Sequence, residues 1–204
     1  MRTSFARSAA AGILICMGCI VNLKVGGGIP GALLFSAGLW FVVGFDAELF
    51  TGRVTRTDYT LPQKLVMLVW NLVGAGICGL LASVFLPEIS SPALKITVAY
   101  TDPVKVLWQS AMCGICMYLA TTWPPSSRTA PGGGLERLPF IVYGVVLFIL
   151  SSYGHSIALA GYAAIGRGIA WWVLPLAALG NALGSYLIRW LLKPESALWR
   201  RPAS

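Results

Sequence analysis

Six apolar stretches, each near the roughly 20 residues needed to cross the hydrocarbon core of a bilayer, run through this 204-residue chain and restrict what it can fold into. The first spans about 8–25 and ends at Lys24 and the Gly26-Gly27-Gly28 turn. The second covers 29–50 and the third 62–86, stopping at Pro87-Glu88. The fourth covers 105–122. A loop signal at Pro124-Pro125-Ser126-Ser127 and Gly132-Gly133-Gly134 precedes the fifth, 138–165, and the sixth, 169–192. Hydrophobic residues make up 57% of the chain and charged ones 11%, against about 25% charged in soluble proteins. A single soluble core of this size cannot hide so much apolar surface. The chain therefore reads as one all-α transmembrane domain over residues 1–204. Arg2 and Arg7 precede an apolar run as in a signal peptide, but no cleavage site follows, so that run is read as the first helix.

Charge placement tests the count of six. With both termini on one side, that side collects Arg2, Arg7, Arg53, Arg56, Lys64, Arg128, Arg137, Arg189, Lys193, Arg200 and Arg201. Only Lys24, Lys95, Lys105 and Arg167 fall opposite. The positive-inside rule then predicts an inner-membrane protein with cytoplasmic termini. The net charge of +8 is explained by topology and calls for no nucleic-acid partner.

Two spans are internally irregular. The second ends Gly44-Phe45-Asp46-Ala47-Glu48-Leu49-Phe50-Thr51-Gly52, placing two carboxylates and two glycines where a lipid-facing helix would avoid them. The fifth carries Ser151-Ser152-Tyr153-Gly154-His155-Ser156 midway along its length. Unwound backbone at membrane depth is tolerated where it is buried in protein or lines a cavity, so both breaks predict a lumen. The halves also echo each other. Cys16-Met17-Gly18-Cys19 in helix one is matched by Cys113-Gly114-Ile115-Cys116 in helix four, and Asn71 to Gly74 in helix three by Asn181 to Gly184 in helix six. An inverted three-plus-three repeat with helices two and five broken follows as an expectation.

In this combination the residues resemble the formate/nitrite transporter family. Ala47-Glu48-Leu49-Phe50-Thr51-Gly52 is similar to that family's break in helix two, Gly154-His155-Ser156-Ile157-Ala158 to its central histidine motif, and the two Asn-x-x-Gly patterns to those of its third and sixth helices. The resemblance covers essentially the whole chain. It implies aquaporin-like protomers in a homopentamer, each with a pore for small monovalent anions such as formate, nitrite or hydrosulfide, formate favoured. It also implies that His155 meets Thr51 near the midplane, that Phe35, Leu39, Phe50 and Phe148 form apolar constrictions, and that Lys95, with Lys105 competing, faces an entrance vestibule. Asn71 and Asn181 of those patterns, with Glu48 and Gly154, are read as structural residues at the helix breaks. Gly154 stands where the family usually has a glutamate, and Gly114 is aligned with an expected asparagine.

Physical chemistry reaches a similar mechanism from the residues. Passing an anion through an apolar constriction costs several kcal/mol or more unless its charge is compensated or removed. A cationic vestibule raises the local anion concentration, and an imidazole, which titrates within physiological reach, supplies a proton or a hydrogen bond. Protons, small monovalent anions and the lipid bilayer are thus the expected partners. Glu48 repels anions and reads instead as a structural acceptor for backbone N–H groups freed at the break. The cysteines read as soft packing residues, and Gly74, Gly76, Gly79, Gly180 and Gly184 as points of close helix approach. Trp171, Trp172, Trp190 and Trp199 read as interfacial anchors. One histidine offers too little for a metal site, and no cofactor is expected. Two other classes stay open: an aquaporin-like channel for neutral solutes, which lacks its paired Asn-Pro-Ala turns here, and an intramembrane enzyme using His155 as a base.

Overall fold

The structure, a computed structural model, describes residues 3–122 and 137–192. The loop signals at 124–127 and 132–134, and Arg2, Arg128, Lys193, Trp199, Arg200 and Arg201, lie outside the described residues. Among the described residues there is no strand. Helix α1 (Phe5–Lys24) begins three residues before the expected span because Ser4 caps it, accepting a hydrogen bond from the Arg7 N–H. It ends at Gly26-Gly27-Gly28, all three at positive φ, where residues with a side chain would be strained. Helix α2 (Gly28–Gly44) follows, then the four-residue α3 (Phe50–Arg53). Helix α4 (Leu61–Phe85) opens with a capping box of Thr60 and Gln63 and a proline in its first turn. The interval before the fourth span is not loop: a 3₁₀ turn (Pro87–Ile89) leads into α5 (Ser90–Val98). Asp102 caps α6 (Pro103–Thr121). The fifth span divides into α7 (Leu138–Leu150) and α8 (Ser156–Gly166). The last helix, α9 (Val173–Leu192), starts later than 169 because residues 168–172 are coil and turn.

Two helix pairs carry the bundle, α1 on α4 and α6 on α9. Each closes on glycines. A Cβ on Gly12 would sit 2.1 Å from the Asn71 carbonyl oxygen, and one on Gly74 2.1 Å from that of Ala9. In the other pair a Cβ on Gly114 would sit 2.1 Å from the Asn181 oxygen, and one on Gly184 1.8 Å from that of Ala111. These are backbone-to-backbone contacts that no larger residue permits. Gly76 departs from the expectation, since a Cβ there meets open space.

The core is filled by Ile15, Phe35, Leu39, Met117, Ile141, Val145 and Phe148. Outward faces are apolar too. Leu65, Val69, Ile77, Leu80, Leu81 and Val84 of α4, and Leu179, Leu183, Leu187 and Leu191 of α9, are all exposed. Among the described residues, α1 and α4 are long and apolar enough to cross a bilayer, and α2, α7 and α8 are shorter apolar helices. An apolar core inside an apolar exterior is the arrangement of a membrane protein, whose outer solvent is lipid.

Candidate functional site

Both interruptions are built the same way. Helix α2 stops with the Asp46 N–H donating to the Val43 carbonyl and the Ala47 N–H to the Val42 carbonyl. Helix α7 stops with Ser152 donating to Ile149 and Tyr153 to Phe148. Each is a paired 5→2 and 6→1 closure, with Asp46 (φ 51°) and Ser152 (φ 54°) in the left-handed region. An extended segment follows, and one asparagine satisfies its backbone. The Asn71 Oδ1 accepts from the Phe50 N–H (2.7 Å), while its Nδ2 donates to the carbonyls of Glu48 (2.8 Å) and Ser8 (2.7 Å). The Asn181 Oδ1 accepts from the Ser156 N–H (2.9 Å), while its Nδ2 donates to the carbonyls of Gly154 and Ser110 (both 2.8 Å). Away from water each such group left unpaired costs several kcal/mol.

Glu48 accepts a backbone N–H, but one at the start of α1 rather than one freed at the break. Its carboxylate accepts from the Ser4 N–H at 2.9 Å and stands 3.9 Å from the Arg53 guanidinium. The freed N–H of the break is already held by Asn71. Asp46 pairs with Arg7 and Arg53, so the carboxylates of the first break tie it to α1 and α3.

Where the breaks meet, the Thr51 Oγ1 lies 2.8 Å from the His155 Nε2. His155 is also the N-cap of α8, its Nδ1 accepting from the Ala158 N–H at 3.1 Å. A backbone N–H can only donate, so Nδ1 carries no proton and the neutral ring carries it on Nε2. The Nε2–H therefore donates to Thr51, leaving the Thr51 hydroxyl hydrogen for another acceptor. Phe148 stacks on the imidazole with centroids 5.5 Å apart, and Phe35 meets Phe148 edge-on at 5.6 Å. Phe35 and Leu39 are fully buried, Phe148 and His155 nearly so.

Two cavities approach this plug from opposite ends of the bundle. One, of about 460 Å³, is lined by α5, the start of α6 and the end of α7, and includes Lys95, Lys105, Asn22, Phe148 and His155. Both candidate lysines reach it, because α5 folds against α8 and brings Lys95 beside the start of α6. The other, of about 680 Å³, is lined by the ends of α2 and α6, the start of α7 and the end of α9. Its walls include Leu49, Gly52, Tyr118, four arginines (Arg53, Arg56, Arg137, Arg189) and two aspartates (Asp46, Asp58). The Arg56 guanidinium bonded to Asp58 holds that carboxyl below the usual carboxylate range. Thr51, bonded to His155 on one side and adjacent in sequence to Gly52 on the other, lies between the cavities.

Several sequence expectations change here. Phe50 is not with the other constriction residues; it packs with Val54, Tyr59, Met67 and Ala178, because its place in the first turn of α3 turns it toward α4 and α9. Leu49, not singled out in the sequence reading, is buried against the main core and lines the arginine-side cavity. The residue of α6 facing Gly154 is Ser110, whose Oγ lies 2.7 Å from where a Cβ on Gly154 would be; Gly114 is pressed against the Asn181 backbone and admits no side chain. The arginine cluster was read only as topology. Cys16, Cys19, Cys113 and Cys116 are buried, and no potential metal cluster occurs among the described residues.

No family model matches the sequence, and no curated protein matches it. Solved structures do match the fold. A pentameric formate channel with formate bound superposes with a TM-score of 0.74, covering 93% of this chain and 96% of its own, at 20% identity. An FNT family ion channel gives 0.72, covering 92% and 89%, at 23% identity. The chain therefore has the all-helical membrane fold of these channels, and more particularly the fold of the formate/nitrite transporter type.

Proposed function

We propose that this chain is a channel for small monovalent anions, formate foremost, in an inner membrane, with cytoplasmic termini and one pore per protomer of a homopentamer. The observation that carries the reading is the buried Thr51–His155 contact, set in an apolar plug between two cavities whose charged linings are predominantly basic. The matched asparagine bridges and glycine contacts support an inverted three-plus-three repeat. The arginine-lined cavity then faces the cytoplasm and the lysine-lined one the opposite side, in line with the charge count.

Lys95 and Lys105 draw an anion to the entrance. Its desolvation at Phe35, Leu39 and Phe148 is offset by protonation in the wet vestibule, so that a weak acid passes the plug neutral. The Thr51 hydroxyl, oriented by the His155 Nε2–H, donates to the solute at the narrowest point. His155 acts here as a fixed donor rather than a base, since its Nδ1 lone pair is used by Ala158 and its Nε2 already carries a proton. The same geometry disfavours an enzyme, because a general base needs a free lone pair.

Flux of formate, nitrite and hydrosulfide into proteoliposomes at several pH values tests the reading, with wild type, His155→Asn and Thr51→Ala compared. Wild type should move at least one of the anions faster as pH falls toward the acid form, and each variant should lose flux about tenfold or more or change its pH profile. Movement of water or glycerol with none of the anions would make the neutral-solute channel the better reading.

A further inference from the structure

The arginine-side cavity contains chemistry that the plug does not use. Among the described residues the Tyr118 hydroxyl, on a residue only 3% exposed, has no hydrogen-bond partner, although its side chain lines the cavity. A buried hydroxyl without a protein partner has its full donor and acceptor capacity free for whatever enters the cavity. Arg189 lines the same cavity. The other basic groups with assigned pairs are matched locally: Arg53 bonds Asp46, and Arg56 bonds Asp58. Arg189 donates to the Thr55 carbonyl, and among the described residues no carboxylate pairs with it. Four of its five N–H donors remain beyond that bond. Thr121 is spent, its hydroxyl shared between the Met117 and Gly52 carbonyls.

We propose that Tyr118 and Arg189 form a second binding site, in series with the plug, for a small monovalent oxyanion of the carboxylate class. The hydroxyl donates to one oxygen and the guanidinium to the other, a charge-assisted arrangement that water alone satisfies less well. The site lies about one helical turn from Thr121, which bonds the carbonyl of Gly52 beside Thr51. An anion held there is staged for the plug, and one leaving the plug is received. This inference rests on the anion reading above and assigns that reading a second subsite.

Titration of purified protein in detergent with ¹³C-formate, followed by NMR, tests it, using wild type, Tyr118→Phe, Arg189→Lys and the double variant Lys95→Gln/Lys105→Gln. Two classes of site are expected in wild type. Tyr118→Phe should remove the class that the lysine double variant retains, and Arg189→Lys, which keeps charge but loses the fork, should weaken that class. Formate flux measured from each face of oriented proteoliposomes supplies a second readout: Tyr118→Phe should raise the half-saturating concentration about tenfold from the arginine side and leave the lysine side within about twofold. A Tyr118→Phe titration and flux identical to wild type would overturn the site while leaving the channel reading intact. If wild type moves no formate, the channel reading fails and the titration alone decides the site.

Discussion

The first helix break, residues 45–49, and the second, residues 151–155, share one backbone and differ in chemistry. Each closes its preceding helix with the same pair of hydrogen bonds, turns through a left-handed residue, and hands its extended segment to an asparagine. Those asparagine contacts set the correspondence: Glu48 with Gly154, Leu49 with His155, Phe50 with Ser156. At the position that lines a cavity, one break therefore places an apolar residue and the other an imidazole. One position earlier, the first break buries a carboxylate bonded to α1, and the second has no side chain at all. The helix after the first break lasts four residues, the helix after the second eleven. A scaffold satisfied identically on both sides can leave its functional groups unequal, because the asparagines answer the backbone and free the neighbouring side chains.

The comparison breaks most severely if the bridges are removed. Asn71→Leu and Asn181→Leu each strip a partner from one buried N–H and two buried carbonyls, for a loss of about 3 kcal/mol or more. Thermal unfolding in detergent should register both losses, equal to within about 1 kcal/mol. A cost under about 1 kcal/mol for Asn181→Leu would mean that the second break is held by something else.

A smaller effect separates the two jobs of His155. His155→Leu, which copies the first break into the second, should cut anion flux at least tenfold and also cost about 1 kcal/mol of stability through the lost cap. His155→Asn should cut flux comparably while keeping most of the stability, since asparagine is a good N-cap but too short to reach Thr51. Wild-type flux in His155→Leu would remove the functional meaning of the asymmetry.

The smallest effect concerns the loop after the first break. Asp58, bonded to Arg56, has a folded pKa below its unfolded value of about 3.9. Its contribution is therefore present above about pH 4 and lost as pH falls through the lower folded value. As an exposed pair it is worth less than about 1 kcal/mol. Asp58→Asn should lower stability slightly and evenly from pH 8 to pH 5, with the difference from wild type vanishing at more acid pH.

Much of the frame was legible in the chain. The apolar lengths marked the long helices, the polar interruptions fall where α2 and α7 end, and Asn71 and Asn181 of the two Asn-x-x-Gly patterns make equivalent hydrogen bonds. The cysteine echo misled. Ser8 and Ser110 play equivalent parts, as do Gly12 and Gly114, both 102 residues apart, whereas Cys16 and Cys113 are 97 apart and occupy different places. Small residues recur by chance on packed helices, so identity alone does not fix register. Phe50 was misplaced for a related reason: a break leaves the direction of the following turn undetermined until its neighbours are known.

The sequence by itself determined that the chain suits a lipid surrounding and where its second and fifth apolar stretches are interrupted, because local hydropathy and backbone chemistry read along the chain; the pairing of Thr51 with His155 was implied only by the family resemblance. Tertiary structure decided that Leu49 lines one cavity and His155 the other, that Asn71 holds the Phe50 N–H and the Glu48 carbonyl of the first break, that both Lys95 and Lys105 reach one cavity, and that Tyr118 and Arg189 line the other. Each of these depends on helix rotation and crossing, set by glycine contacts such as those of α1 with α4 and α6 with α9, between residues 59 to 73 positions apart, and no local pattern encodes them.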